Sequence, residues 1–389
     1  MSKTPKLRFP GFTDDWEQRK LGDLYKKNLE RNKDQFKADK TISIASMRFK
    51  PEGNGASESS LSTYKVLREG DIAFEGHKSK QFSFGRFVVN DIGNGIMSPR
   101  FTTLRPSQQI PIKFWKQYIN YEPIMKYPIV NSTKLGTMMN ELVMNDFLKQ
   151  TILVPSIAEQ EIIGSFFKQL DNLITLHQRK LSDVKKLKAG MLQKMFPKNG
   201  ETIPEVRFPE FTNAWEQRKL GEVVGITMGQ SPNSENYTDK PSDYILVQGN
   251  ADMKEGHVVP RVWTTQVTKK AKKGDLILSV RAPVGDIGKT GYNVVLGRGV
   301  AAIKGNEFIF QQLGKMKLIG YWDRYSTGST FESINSTDIK DAQINVSSND
   351  EQQKIGSFFQ QLDNLITLHQ RKLEHLQQQK KALLQQMFI

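Results

Sequence analysis

The sequence predicts an α+β protein: two mixed α/β modules joined and separated by two long, antiparallel coiled-coil helices, with an internal pseudo-two-fold repeat. Three observations predict it. Residues 7–23 (LRFPGFTDDWEQRKLGD) return as 206–222 (VRFPEFTNAWEQRKLGE), identical at 12 of 17 positions. Residues 164–181 return as 356–373, identical at 17 of 18, inside stretches whose apolar residues recur every three or four. The inserts between these blocks, 24–158 and 223–350, number 135 and 128 residues and align only at scattered positions. A constant frame around divergent inserts describes two unlike units on matched mounts. The boundaries that follow are an N-terminal arm with the first module over 1–158, a framework helix and linker over 159–205, the second module over 206–350 and a second framework helix over 351–389.

Taken in chain order, each copy of W-E-Q-R-K-L-G opens a module. Trp16 and Leu21, then Trp215 and Leu220, read as anchors that dock the module onto the frame, with Arg19 and Arg218 as secondary candidates for partner contact. In the first module, 41–45, 72–74 and 87–89 read as short strands. In the second, Tyr244–Val247, 276–280 and 301–303 do so, among Gly- and Pro-rich turns at 229–232 and 282–288. Gly70-Asp71 matches Gly274-Asp275, each ahead of an apolar strand. Gly136-Thr137 matches Gly328-Ser329, each in a polar loop ahead of a framework helix. The modules therefore read as diverged copies of one fold.

The framework helices carry the strongest periodicity. Ile163, Phe167, Leu170, Ile174, Leu181, Val184, Leu187, Met191 and Met195 form one stripe. Ile355, Phe359, Leu362, Ile366, Leu373, Leu376, Leu383 and Met387 form the other. Ser156 with Glu159, and Ser348 with Glu351, have the S-x-x-E spacing of a capping box, and Pro197 stops the first helix. A rod of this length, roughly 57 Å at 1.5 Å per residue, needs a partner for its apolar side. The other copy is the obvious one, and symmetry rather than periodicity suggests an antiparallel pair with the modules at opposite ends. His177 and His369 interrupt the stripes. They read as polar positions that set register rather than as a metal or pH-sensing site, because no carboxylate or cysteine stands beside them at ligand spacing.

Composition narrows the function. The 389 residues carry a net charge of +15 and a pI near 9.6, which points to a polyanionic partner. Residues 24–158 hold 20 basic and 12 acidic side chains, against 15 and 13 in 223–350, so the first module is the stronger electrostatic contributor. Cysteine is absent, which excludes disulfides and thiolate metal sites. The mean hydropathy is −0.52, and no run approaches the roughly 18 apolar residues of a membrane span. The opening MSKTPKLRFP has no apolar h-region. A cytoplasmic protein without a membrane partner is the expectation.

No catalytic constellation is found. The five histidines form no H-E-x-x-H spacing, and Gly288-Lys289-Thr290 fails as a phosphate loop because Pro283 stands where a glycine is needed. No G-x-G-x-x-G opens a βαβ unit, so neither a dinucleotide nor a methyl-donor fold is supported. The modules do hold the side chains that read bases: Arg and Lys for guanine edges, Asn and Gln for adenine. In the first module the candidates are Arg48, Lys50, His77, Lys78, Ser79, Lys80, Arg86 and Lys134. In the second they are Gln230, Ser231, Asn233, Gln248, Asn250, Arg281, Ser326, Thr327, Ser329 and Thr330. Turn formation is the commoner job of Ser, Thr and Asn, so the set of loops weighs more than any member.

With two modules on repeated helical frames, the chain closely resembles the specificity subunit of a type I restriction–modification system over essentially its whole length. The resemblance rests on the duplicated EQEIIGSFFKQLDNLITLHQRKL and EQQKIGSFFQQLDNLITLHQRKL, the W-E-Q-R-K-L-G blocks and the TGST ahead of the second helix. The first module departs from the pattern, with Lys134-Leu135-Gly136-Thr137 in that place. The resemblance implies that each module reads one half of an asymmetric, split site in double-stranded DNA. It implies that the paired helices act as spacer and dock two modification subunits, with Phe166, Phe167, Phe358 and Phe359 as candidate contacts. S-adenosylmethionine, ATP and Mg would then sit on the modification and restriction subunits, and this chain would hold no cofactor or metal and perform no catalysis. The alternatives are a stand-alone DNA-binding regulator and a nuclease with an unrecognised centre.

Overall fold

A computed structural model of the chain describes residues 4–388 apart from 34, 81, 137–138 and 326–332. The chain divides into two compact units, Met1–Gln178 with Arg371–Ile389, and Arg179–Gln370. Both long helices, Ile157–Lys194 and Asn349–Met387, begin in one unit and end in the other.

The first unit holds two four-stranded sheets. One has the order Tyr25–Lys27, Thr102–Pro106, Ile72–Glu75, Arg86–Val89, antiparallel throughout. The other has the order Arg48–Lys50, Thr41–Ser43, Gly95–Met97, Lys65–Leu67, and its central pair is parallel. The second unit repeats this. Gly225–Met228, Val300–Lys304, Leu276–Ser279 and Ile287–Lys289 run in the first order, and that sheet continues through His257–Val258 to Met253–Lys254. Val262–Thr264, Tyr244–Val247, Val294–Leu296 and Lys269–Ala271 run in the second, again with a parallel central pair, and Tyr237–Thr238 adds an edge. The modules are one fold twice.

Central strands read as unbroken apolar runs because both of their faces are covered. Side chains alternate across a strand, so Ile72 and Phe74 enter the main core of the first unit while Ala73 enters a second cluster. Leu276 and Leu278 part from Ile277 in the same way. The landmark turns also superpose. Gly70 and Gly274 have φ of +92° and +96°, their N–H groups donate to Asn90 and Thr290 carbonyls at 2.8 Å, and the Asp71 and Asp275 carboxylates accept from the Arg68 and Lys272 N–H groups.

The frame is built identically in each unit. Glu17–Lys20 pairs antiparallel with Thr151–Val154, and Glu216–Lys219 with Gln343–Val346. Trp16 and Trp215 are buried behind these ribbons with Leu21 and Leu220, as anchors should be. The Ser156 and Ser348 hydroxyls accept from the Glu159 and Glu351 N–H groups, as at an N-cap. The two carboxylates, which a capping box would turn back on the helix start, instead take both arms of a guanidinium. Arg8 binds Glu159 at 2.7 and 2.8 Å, and Arg207 binds Glu351 at 2.7 and 2.9 Å.

Inside the first unit the start of the first long helix runs antiparallel to the end of the second. The Phe167 ring lies 5.8 Å from Phe388, and Lys380 Nζ lies 2.6 Å from Asp171, which also accepts from Gln117 on the module helix Ile112–Asn120. Inside the second unit Phe196 lies 6.0 Å from Phe359, and Lys188 Nζ lies 2.6 Å from Asp363, which accepts from Gln311 on the module helix Glu307–Leu318. Each contact in one unit is the repeat partner of a contact in the other.

Two of the four candidate contact phenylalanines, Phe167 and Phe359, are core residues. Phe167 and Phe359 are fully buried in the two main cores, and Phe166 and Phe358 turn edge-on to Phe9 and Phe208 at 5.6 and 6.5 Å. These pairs hold the N-terminal arm and its repeat to the helices. Phe166 and Phe358 keep part of their surface exposed, while Phe167 and Phe359 lie on the helix stripe that faces the module.

Candidate nucleic-acid interface

In each module backbone hydrogen bonds gather several of the connecting loops into one patch. In the second module the Gly229 N–H donates to Val300, the Gln230 N–H to Leu296, the Gly297 N–H to Val247 and the Val280 N–H to Gly299, at 2.7–3.0 Å. These four backbone bonds bring Gln230, Ser231, Gln248, Asn250 and Arg281 to one patch. Gln230 and Arg281 are exposed there. Gln248 is half-buried, with its amide donating to the Tyr237 hydroxyl at 2.8 Å. Asn250 opens a short turn of helix closed by buried Asp252, whose carboxylate accepts the Gln248 N–H at 2.7 Å and pairs with Arg261 at 3.0 Å. Asn233 is not part of the patch's backbone net; its N–H is bound to the Gln266 side chain.

In the first module the same end carries residues 44–47, 76–80, 82–85, 98–101, 133–136 and 139–142. Gly76 ends its strand against Asn140, whose N–H donates to the Gly76 carbonyl at 2.9 Å, and a Cβ on Gly76 would lie 2.0 Å from the Asn140 carbonyl oxygen. His77, Lys78, Ser79 and Lys80 follow, all exposed, and Lys134 is exposed on the neighbouring two-stranded ribbon of Thr133–Lys134 with Glu141–Leu142. The Ile334 N–H to Val280 carbonyl bond, 3.0 Å, is the second module's counterpart of the pin at Gly76. Arg48 and Lys50 are exposed on the edge strand.

Arg86 sits in this region, but its guanidinium is committed within the fold. It binds Glu75 at 2.7 Å, donates to the Ala45 carbonyl at 3.0 Å and lies over the Phe82 ring. It ties the 44–47 turn to the hairpin, a positioning job that residue type alone did not reveal. Ser326, Thr327, Ser329 and Thr330 lie outside the described residues. Arg19 and Arg218 are on the surface ribbons of the frame, paired with Glu17 and Glu222 at 3.4 and 3.7 Å.

Two residues that the sequence reading passed over stand in these patches. Arg298 is the exposed tip of the turn between Val294–Leu296 and Val300–Lys304, and Arg100 is exposed in the corresponding turn between Gly95–Met97 and Thr102–Pro106. The signal was a Gly-Arg-Gly between two apolar runs, which needed the strand order to be read as a loop tip. Among the described residues no group of three or more His, Cys, Asp or Glu side chains is placed to hold a metal ion. His177 and His369 are partly buried on the long helices.

An exposed end of amides, guanidiniums and lysines on a rigid double sheet can hydrogen-bond base edges and phosphates. Comparisons with known proteins agree with that chemistry. The type I restriction modification DNA specificity domain family matches residues 13–186 and 212–378, one copy for each module with its helix. The MjaX specificity subunit of a type I restriction enzyme, from Methanocaldococcus jannaschii, is 25% identical over 407 residues, covering 95% of this chain and 92% of the relative. The MjaVIII specificity subunit of the same organism is 21% identical, covering 97% and 92%. The solved S subunit of a type I restriction–modification system from M. genitalium shares the fold over 99% of both chains, with a TM-score of 0.66 at 15% identity.

Proposed function

Because the chain belongs to the type I restriction modification DNA specificity family, we propose that it reads a bipartite, asymmetric DNA sequence with one half-site per module. The observation that carries this is the pairing of sameness and difference. The two modules share strand order and sense, yet the residues at their exposed loop ends differ, with His77–Lys80 in one place and Arg281 in the other. One scaffold with two loop sets reads two different half-sequences.

The candidate loop residues bind DNA, the exposed lysines of the first module neutralise phosphates, and the amides and arginines read base edges. Two modification subunits dock on the repeated helices. Leu173, Leu176, Leu365 and Leu368 are 42–59% exposed on those helices and identical in both copies, so the repeat conserves surface as well as core. Partner subunits bind S-adenosylmethionine, ATP and Mg and carry out methylation and cleavage, in the cytoplasm where the DNA lies. This chain supplies recognition and no chemistry.

The test is to express the chain with a cognate modification subunit and to map methylated adenines. The expected result is one sequence in two parts separated by unread bases. Methylation without sequence context would contradict the reading, and cleavage or methyl transfer by the purified chain alone would favour the nuclease alternative.

A further inference from the structure

We infer that Arg298 and Arg100 are matched guanine readers, one in each module; this rests on the reading just given and names the base contact at its centre. The inference starts from equivalence. Val294–Leu296 pairs parallel with Tyr244–Val247 and antiparallel with Lys269–Ala271, and Val300–Lys304 lies between Gly225–Met228 and Leu276–Ser279. Gly95–Met97 and Thr102–Pro106 have the same partners in the same senses. The two turns that link these strands are therefore one position in the fold. Their sequences, 297–299 (GRG) and 98–101 (SPRF), share only the arginine.

Each turn is built to push that arginine outward. A Cβ on Gly299 would lie 2.0 Å from the Gln248 carbonyl oxygen, and one on Gly297 would lie 3.1 Å from the Gln248 Cα. The turn is pressed onto the Gln248 backbone, and Arg298 is the one residue in it with a side chain. The Arg298 N–H is held by the Ser231 hydroxyl at 3.1 Å, which fixes the stem beside Gln230. In the first module the Phe101 N–H donates to the Ser98 carbonyl at 3.2 Å, closing a turn with Pro99 and Arg100 at its corner, and the Arg100 guanidinium rests 4.9 Å from the Phe101 ring centre.

The electrostatics points the same way. The ladder Ser279↔Val300 continues to the Val280 N–H to Gly299 carbonyl bond of 2.9 Å, so Arg281 and Arg298 come next on the two strands. Like charges opposite one another are unfavourable, and neither guanidinium has a carboxylate partner among the described residues. By contrast Arg86, Arg105, Arg207 and Arg261 are all paired with acids. An arginine without a carboxylate partner among the described residues, exposed on a tight turn at the same place in two diverged modules, fits the bidentate contact of guanidinium to guanine O6 and N7.

The experiment selects bound sequences from a randomised DNA pool with the assembled complex, for wild type, Arg298→Ala, Arg298→Lys, Arg100→Ala and Arg100→Lys. The expected result is that both changes at 298 lose about ten- to a hundredfold preference for guanine at one base pair of one half-site, and both changes at 100 do so at one base pair of the other. Lysine keeps the charge but not the planar fork, so its failure to restore the preference marks base reading. The untouched half-site in each variant reports that the complex is assembled and folded. If alanine weakens all sequences alike while lysine restores binding, or if the motif is unchanged, these arginines hold phosphates or nothing and the inference is overturned. If the wild-type complex selects no sequence, the proposed function itself fails and takes the inference with it.

Discussion

The Arg207–Glu351 pair shows what a single repeated contact does. Glu351 is 1% exposed and its whole charge is met by one fork, so removing Arg207 leaves a buried carboxylate without its cation. Arg207→Ala is expected to destabilise the second unit by about 3–5 kcal/mol, and Arg8→Ala to act likewise on the first, read as loss of the unfolding midpoint in denaturant. A loss under about 1 kcal/mol would mean that the pair behaves as an exposed surface bridge. Gly76 makes a different point. Gly76→Ala drives a Cβ into the Asn140 carbonyl, so the start of the loop after Gly76 and the ribbon of Thr133–Lys134 with Glu141–Leu142 must part. Methylation mapping of that variant should show a blurred first half-site with the second half-site intact; an unaltered first half-site would show that the pin does not position the reading loop.

At the level of elements, the sequence was most legible where buried apolar stripes and runs recur. The strands at 41–45, 72–74, 87–89, Tyr244–Val247, 276–280 and 301–303 all exist within two residues of expectation, because both-face burial leaves apolar runs that short periods reveal. The helix ends at Lys194 and Met387 follow the stripe. The ribbon strands Glu17–Lys20 and Glu216–Lys219 were not legible, since their pattern is polar and their partners lie more than a hundred residues away. The candidate loops were legible as exposed segments, and the commitments of their single side chains were not. Arg86 has the right residue type but spends its charge on Glu75, whereas Arg100 and Arg298 are exposed and were passed over, and only strand order distinguishes them. Neutralising Lys78 and Lys80, both exposed, should reduce the slope of log affinity against log salt by about one to two units. Neutralising Arg86 should instead disturb the hairpin and leave the slope nearly unchanged. A slope indifferent to the lysines would show that phosphates are held elsewhere.

Across the whole chain, the internal repeat is a property of contacts within each unit and not only of sequence. Leu7 donates its N–H to the Gln386 carbonyl at 2.9 Å, as Val206 donates to Lys194 at 2.9 Å. The N-terminal arm thus meets the end of the second long helix just as the internal linker's far end meets the first. A permuted chain, with residue 388 linked to residue 4 by a short flexible segment and opened between 198 and 204, is expected to fold and to assemble with the same partners. Misfolding of that chain would show that the linker over 195–205 does more than connect.

Divergent modules on constant frames make one claim above the others: each module reads its own half-site. The most direct measurement replaces residues 24–158 with the corresponding segment of a relative, leaving both long helices and residues 206–350 untouched, and maps methylated adenines in cells that carry the modification subunit. One half of the recognised sequence is expected to change to the donor's and the other half to be retained base for base. A change in both halves, or in neither, would contradict it.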